Sequence, residues 1–181
     1  MKISARVIDE EEYKKVWRPI HSQIFVNSYP PDLPFKIESW RAVLIPDSLN
    51  FAETIFTAVS LMARRMGDAE LIVETWEVLN GSCPPVVIPW NYLEMSILLG
   101  SHRSHFENHL YGKSGSWGIA CSNEQDFSYI GGAPQFIESL VTALGGMEDL
   151  KRTFTIHNQE FSHYERDFLE TLFRNVGWKL P

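Results

Sequence analysis

Three histidines, His102, His105 and His109, follow one another at spacings i, i+3 and i+7. On a helix that spacing puts three imidazoles on one face, a donor set that suits zinc, and zinc would lower the pKa of a bound water to about 7. With Glu124 or Asp126 as a further ligand or base, the cluster reads as a small metal-dependent hydrolase. Against this stand Gly100, several weak helix formers in the same stretch, and the lack of an HExxH motif to supply a base. Solvated surface histidines are the reading the sequence favours, so no metal and no cofactor are expected.

Glu124 and Asp126 also lie near Cys121, which opens a cysteine-based site as a second possibility. A reactive thiol needs a base and an electropositive setting, whereas Cys121 is expected to share a face with Trp117 and Ile119 and to be buried and inert. Cys83, before two prolines, has less support still. Two cysteines are too few for a disulfide framework or a zinc knuckle, and reduced, buried thiols in a cytoplasmic protein are expected. Gly131-Gly132-Ala133-Pro134 could offer backbone amides to an anion, but neither GxGxxG nor GxxxxGK[ST] is present, so the glycines read as turn-makers. Neither Ser96 nor Ser122 sits in a GxSxG elbow.

The 181 residues suit one domain over 1–181. Lys and Arg number 16 against 23 Asp and Glu, a net charge of −7, which argues against nucleic acid as partner because phosphate contacts need a basic footprint. With 44% hydrophobic and 13% aromatic residues the chain can bury a sizeable core. The most apolar stretch, residues 51–62, is interrupted by Glu53, Thr54, Thr57 and Ser60 and falls short of the roughly 20 residues that cross a bilayer, so no membrane partner is expected. No signal-peptide pattern precedes the acidic run 9–12.

The elements that must position these residues follow from periodicity. Residues 3–8 suit a short strand; Asp9 with Glu12 makes a capping box for a helix carrying Tyr13, Val16, Trp17 and Ile20 on one face, which Pro19 should kink or end. Prolines make 27–35 an ordered loop, and 38–45 suits a strand. Asp47 or Ser48 is expected to cap a central helix running to Met66, with Gly67 as its stop. In residues 69–79 Leu71, Val73 and Leu79 alternate with Glu70, Glu74 and Trp76, a strand with one partly wet face, returning through Asn80-Gly81 to a strand at 86–88. A short helix is expected at 92–99 and a hairpin from 117–122 and 127–130, with Trp117, Ile119 and Cys121 on its core side. Helices are expected from Pro134 to Gly145-Gly146 and from Asn158 to Gly177, with a late strand at 151–156 between them. Hairpins mixed with helices, without strict βαβ alternation, predict an α+β domain with an antiparallel or mixed sheet, and a Rossmann-type fold is not expected.

The pattern Trp117-Gly118, Ser122, Gly131-Gly132 and Phe136-Ile137 resembles small bacterial proteins of polymorphic toxin systems, including the immunity proteins of contact-dependent growth inhibition, over residues 117–144. The resemblance implies a cytoplasmic protein that binds a toxin domain and blocks it, with no catalysis of its own and no catalytic residue to carry over. A protein partner, such as a basic toxin domain, also suits the charge balance, since complementary charge speeds encounter and aromatic anchors supply contact energy. Alternation and loop position make Glu70, Glu74, Trp76, Glu124 and Asp126 the expected exposed contacts.

Overall fold

Seven short apolar segments pair into one sheet, with strand order β1-β4-β3-β5-β6-β7-β2 and every pairing antiparallel. The computed structural model describes residues 4–26, 28, 30–46, 52–75, 83–100, 107–122, 127–157 and 164–179. The strands are β1 (Arg6–Val7), β2 (Arg41–Pro46), β3 (Glu70–Thr75), β4 (Val86–Pro89), β5 (Asn108–Tyr111), β6 (Trp117–Cys121) and β7 (Phe127–Gly132). The helices are α1 (Glu10–Glu12), which runs through a π-helical segment (Tyr13–Trp17) into α2 (Arg18–Ile24), then α3 (Glu53–Arg65), α4 (Tyr92–Leu99), α5 (Pro134–Ala143), α6 (Met147–His157) and α7 (Arg166–Asn175). This is a single α+β domain, as the mixture of hairpins and helices predicts.

Period-two alternation assigns the strand side chains to two faces. On one, Leu71, Val73, Ile88, Leu110, Trp117, Ile119 and Ile130 pack with Ile55, Phe56, Val59 and Met62 of α3, Met95 and Leu99 of α4, and Phe136, Ile137 and Leu140 of α5. Each such buried side chain contributes about 1.5–3 kcal/mol, so this layer supplies most of the apolar stabilisation. Trp117 sits at its centre, stacked on Phe136 at 5.9 Å and tilted against Trp90 at 5.5 Å. Its indole N–H donates to the buried Asp68 carboxylate at 2.7 Å, which also accepts from the Ser114 amide (2.8 Å) and hydroxyl (2.7 Å).

The opposite face carries a smaller cluster. There Ile8, Trp17, Ile24 and Phe25 of the N-terminal segment cover Ile72, Val87 and Tyr111. Glycine makes the approach possible: a Cβ on Gly118 would come within 2.7 Å of Phe25, and one on Gly131 within 2.4 Å of Phe35. Beyond it, Phe127 meets Phe154 of α6 edge-on at 6.1 Å, and Phe154 meets Phe173 and Trp178 in the same manner.

Much of the expected element order holds. Asp9 accepts from the Glu12 amide at 2.8 Å as N-cap, α4 and the β6–β7 hairpin lie where expected, α5 begins at Pro134, and Gly67, Gly145 and Gly177 follow helix ends with positive φ. Cys83 and Cys121 are buried.

Pro19, expected to kink or end its helix, does not end it: the preceding turn widens to π-helical, and this accommodates a residue that cannot donate to the Lys15 carbonyl and would crowd it. Five expectations need correction. Residues 151–156 are helix, because Leu150 and Phe154 recur at i, i+4 and both point inward. The central helix has Ala52 as N-cap, while Asp47 and Ser48 lie outside the described residues. Likewise α7 starts after Glu165, and Asn158 lies outside them. Gly131 and Gly132 are the last residues of β7, paired to Gly118 and Trp117, and make no turn. On the expected wet face of β3, Ile72 and Glu74 are buried beneath the N-terminal segment.

Candidate functional site: a polar seam under the N-terminal helix

Where the N-terminal segment crosses β3 and β5, a row of polar side chains interrupts the apolar contact. Glu74 and His109 are register partners on the two strands, so their side chains stand side by side on the face that the helix covers. Tyr111, two residues on, shares that face. From above, the π-helical segment supplies Tyr13 and α2 supplies His21.

Both oxygens of Glu74 are engaged. The Tyr13 hydroxyl donates to Oε1, and the Tyr111 hydroxyl donates to Oε2 at 2.7 Å. His21 Nε2 lies 2.8 Å from His109 Nδ1, so one ring donates a hydrogen bond to the other. Phe25 lies flat on His109 at 4.0 Å, and Trp17 meets Tyr111 edge-on at 6.2 Å. Outside the seam, Lys113 sits over the Trp17 ring at 5.2 Å, and the Trp17 indole N–H donates to Glu12 at 3.2 Å. The Arg6 guanidinium, in a bidentate pair at 2.6 and 2.9 Å, holds the Glu12 carboxyl down at about 2.

Burial sets the charge state of the seam. Glu74 is 4% exposed and His109 3% exposed. Burial pushes the Glu74 carboxyl up, opposed by the Tyr13 and Tyr111 hydrogen bonds. The same loss of solvent brings His21 down to about 4, with Lys36 adding to it, and holds His109 well below the usual imidazole range, with His21 adding to that. His21 Nε2 lies 3.9 Å from Glu74 Oε1, within reach of an ion pair. Both shifts favour the neutral partners, however, and the hydrogen bond of His21 goes to His109, so the contact is read as polar proximity rather than as a salt bridge. Tyr13 and Tyr111 titrate well above their ordinary value, chiefly through burial and secondarily through the adjacent Glu74, and act as hydroxyl donors.

Beside His109 lies a cavity of about 20 Å³, room for about one water. Glu107, Ser122, Asp32 and Tyr129 line it, and the Ser122 hydroxyl donates to Glu107 at 2.9 Å. On the other layer an open groove of about 410 Å³ runs between α3 and α5, with Arg65 and Glu138 at its walls.

The structure separates the residues singled out by spacing. His109 lies on strand β5, so the helical alignment with His102 and His105 does not hold for it; those two lie outside the described residues. Among the described residues no group of three His, Cys, Asp or Glu is placed to hold a metal ion. Glu74, expected as an exposed contact, is buried, because the N-terminal helix covers the face that alternation alone leaves wet. Glu70, on the same face but beyond the reach of that helix, is half-buried and lies 3.4 Å from Lys113. Trp76, Glu124 and Asp126 lie outside the described residues. The seam draws in Tyr13, which was read only as part of an apolar stripe, and His21 and Tyr111, which no local pattern marks; the one available signal is a glutamate between apolar residues in a strand.

Comparisons with family models, curated proteins and solved structures find no match.

Proposed function

We propose that this chain is a binding protein of the immunity type, which neutralises a basic toxin domain by covering it with an acidic exterior. The observation that carries this reading is the division of titratable side chains. Glu74, His21 and His109, which could do acid–base chemistry, are turned inward, Glu74 bonded by the Tyr13 and Tyr111 hydroxyls and the two histidines to each other. Outward-facing carboxylates include Asp9, Glu10, Glu11, Asp32 and Glu38 on the N-terminal segment and Glu165, Asp167 and Glu170 near α7. A net charge of −7 on a chain of this size steers a basic partner towards it.

The residues that resemble toxin-system proteins take the role of scaffold in this reading. Trp117, Gly118, Gly131, Gly132, Phe136 and Ile137 are all buried, so they shape the sheet and α5 rather than touch a partner. Contacts are assigned to Glu70 and, on the sequence reading alone, to Trp76, Glu124 and Asp126; Glu74 is withdrawn from the set.

The test is co-expression with any toxin domain found encoded beside this gene, a gene without such a neighbour counting against the reading. Rescue of growth and a co-purifying complex, whose association slows several-fold as salt rises from about 50 to 300 mM, are expected. A neighbouring toxin that kills regardless and does not co-purify would remove the reading.

A further inference from the structure

The polar seam joins one segment of the chain to the rest. Apart from β1 and its backbone contact to Pro85, the N-terminal segment is held on β3–β5 by the buried Ile8, Trp17, Ile24 and Phe25, by the partly buried Tyr13, Val16 and Ile20, and by this row of hydrogen bonds, while the Lys36 N–H donates to the Ile24 carbonyl at its end. The sheet itself does not depend on that segment: β3 is paired on both sides, to β4 and β5, and the larger core lies on the opposite face.

The His21–His109 contact has a chemical limit. A hydrogen bond between two imidazoles needs one nitrogen with its proton and one without. The pair tolerates two neutral rings, or one proton more, but when both rings are protonated two N–H groups and two positive charges face each other at 2.8 Å, with His109 buried and His21 largely so. Among the described residues, the charged and titratable groups around the pair come from several elements. Glu74 on β3 is already bonded to Tyr13 and Tyr111; Arg18 on α2 and Lys36 after it add positive charge; Asp32 and Glu107 stand at the neighbouring cavity, with Tyr129 of β7.

We propose that the His21–His109 contact is a proton-operated latch: residues 9–25 lie on the sheet while the pair holds at most one extra proton, and lift away when both rings are protonated, leaving the sheet and α3–α5 folded. The latch stands independently of the partner assigned above. Its consequence is that acidification exposes Trp17, Phe25, Ile72 and Tyr111, an apolar face hidden at neutral pH.

Hydrogen exchange on the full chain between pH 7 and 4.5, corrected for the intrinsic pH dependence of exchange, tests it. Peptides within 10–24 are expected to lose at least tenfold protection on acidification, while peptides from β6, β7 and α5 keep theirs. In His21→Gln combined with His109→Asn, whose amides preserve a donor and an acceptor without titrating, the acid-induced loss is expected to disappear; His21→Gln alone serves if the pair does not fold. Loss spread evenly over the chain, no selective loss in the wild type, or the same loss in the non-titrating variant overturns the proposal. Failure of the toxin-binding reading would leave all three outcomes unchanged.

Discussion

The Nε2 atom of His21 on α2 and the Nδ1 atom of His109 on β5, 88 residues apart in the chain, lie 2.8 Å from each other beneath the ring of Phe25. That single contact shows how the N-terminal helix uses the sheet: it covers strand positions whose side chains are polar and satisfies them from above.

Acid should therefore cost stability. His21 titrates at about 4 when folded and near 6.5 when unfolded, and His109 lies on the same side, so the unfolded chain binds more protons and stability falls as pH drops from about 6.5 towards 4. For His21 alone the loss is on the order of 2–3 kcal/mol. The Glu74 shift has the opposite sign: its neutral form is favoured in the fold, and that contribution is lost as pH rises through its raised value. Urea unfolding at pH 4.5, 5.5, 6.5 and 8 should show a midpoint rising from pH 4.5 to 6.5; a flat profile would contradict the seam as described.

Glu74→Ala leaves the Tyr13 and Tyr111 hydroxyls without their acceptor and opens a cavity between helix and sheet. A cost of about 2–4 kcal/mol is expected, against about 1 kcal/mol for Tyr13→Phe. Chemical denaturation of the two variants compares them, and a Glu74→Ala cost under ~0.5 kcal/mol would show that the carboxylate is not held there.

Asp68→Asn tests the other buried carboxylate. Three donors converge on it, from Ser114 twice and from Trp117 once, and an amide would turn a donor of its own towards them. Destabilisation of about 1–3 kcal/mol is expected, with a change in tryptophan emission because Trp117 loses its partner. An unchanged spectrum and midpoint would rule the clamp out.

Cys83 and Cys121 are 2% and 1% exposed. Neither thiol should react with dithiobis(nitrobenzoate) within minutes under native conditions, and both should react on addition of denaturant. Rapid native labelling of Cys121 would place it at an accessible surface and reopen its chemistry.

What was legible in the sequence was local. The capping box at Asp9 and Glu12, the helix stops at Gly67 and Gly177, Pro134 at a helix start and the alternation of Trp117, Ile119 and Cys121 each encode their outcome within a few residues, because backbone dihedrals and side-chain periodicity are set by near neighbours. The strand expected at 151–156 fails within the same logic: Leu150 and Phe154 carry a helical repeat that a window beginning at Lys151 cuts in two.

What the chain decided alone was thus its class, its acidic charge and most of its helix ends. Only the tertiary structure decided that Glu74 is interior, that His109 belongs to a strand, and that Gly118 and Gly131 are cleared spaces for Phe25 and Phe35. The reason is distance along the chain: the second cover on a strand comes from a helix some 50 to 100 residues earlier, and a strand's own alternation carries no information about what will be laid on its other face.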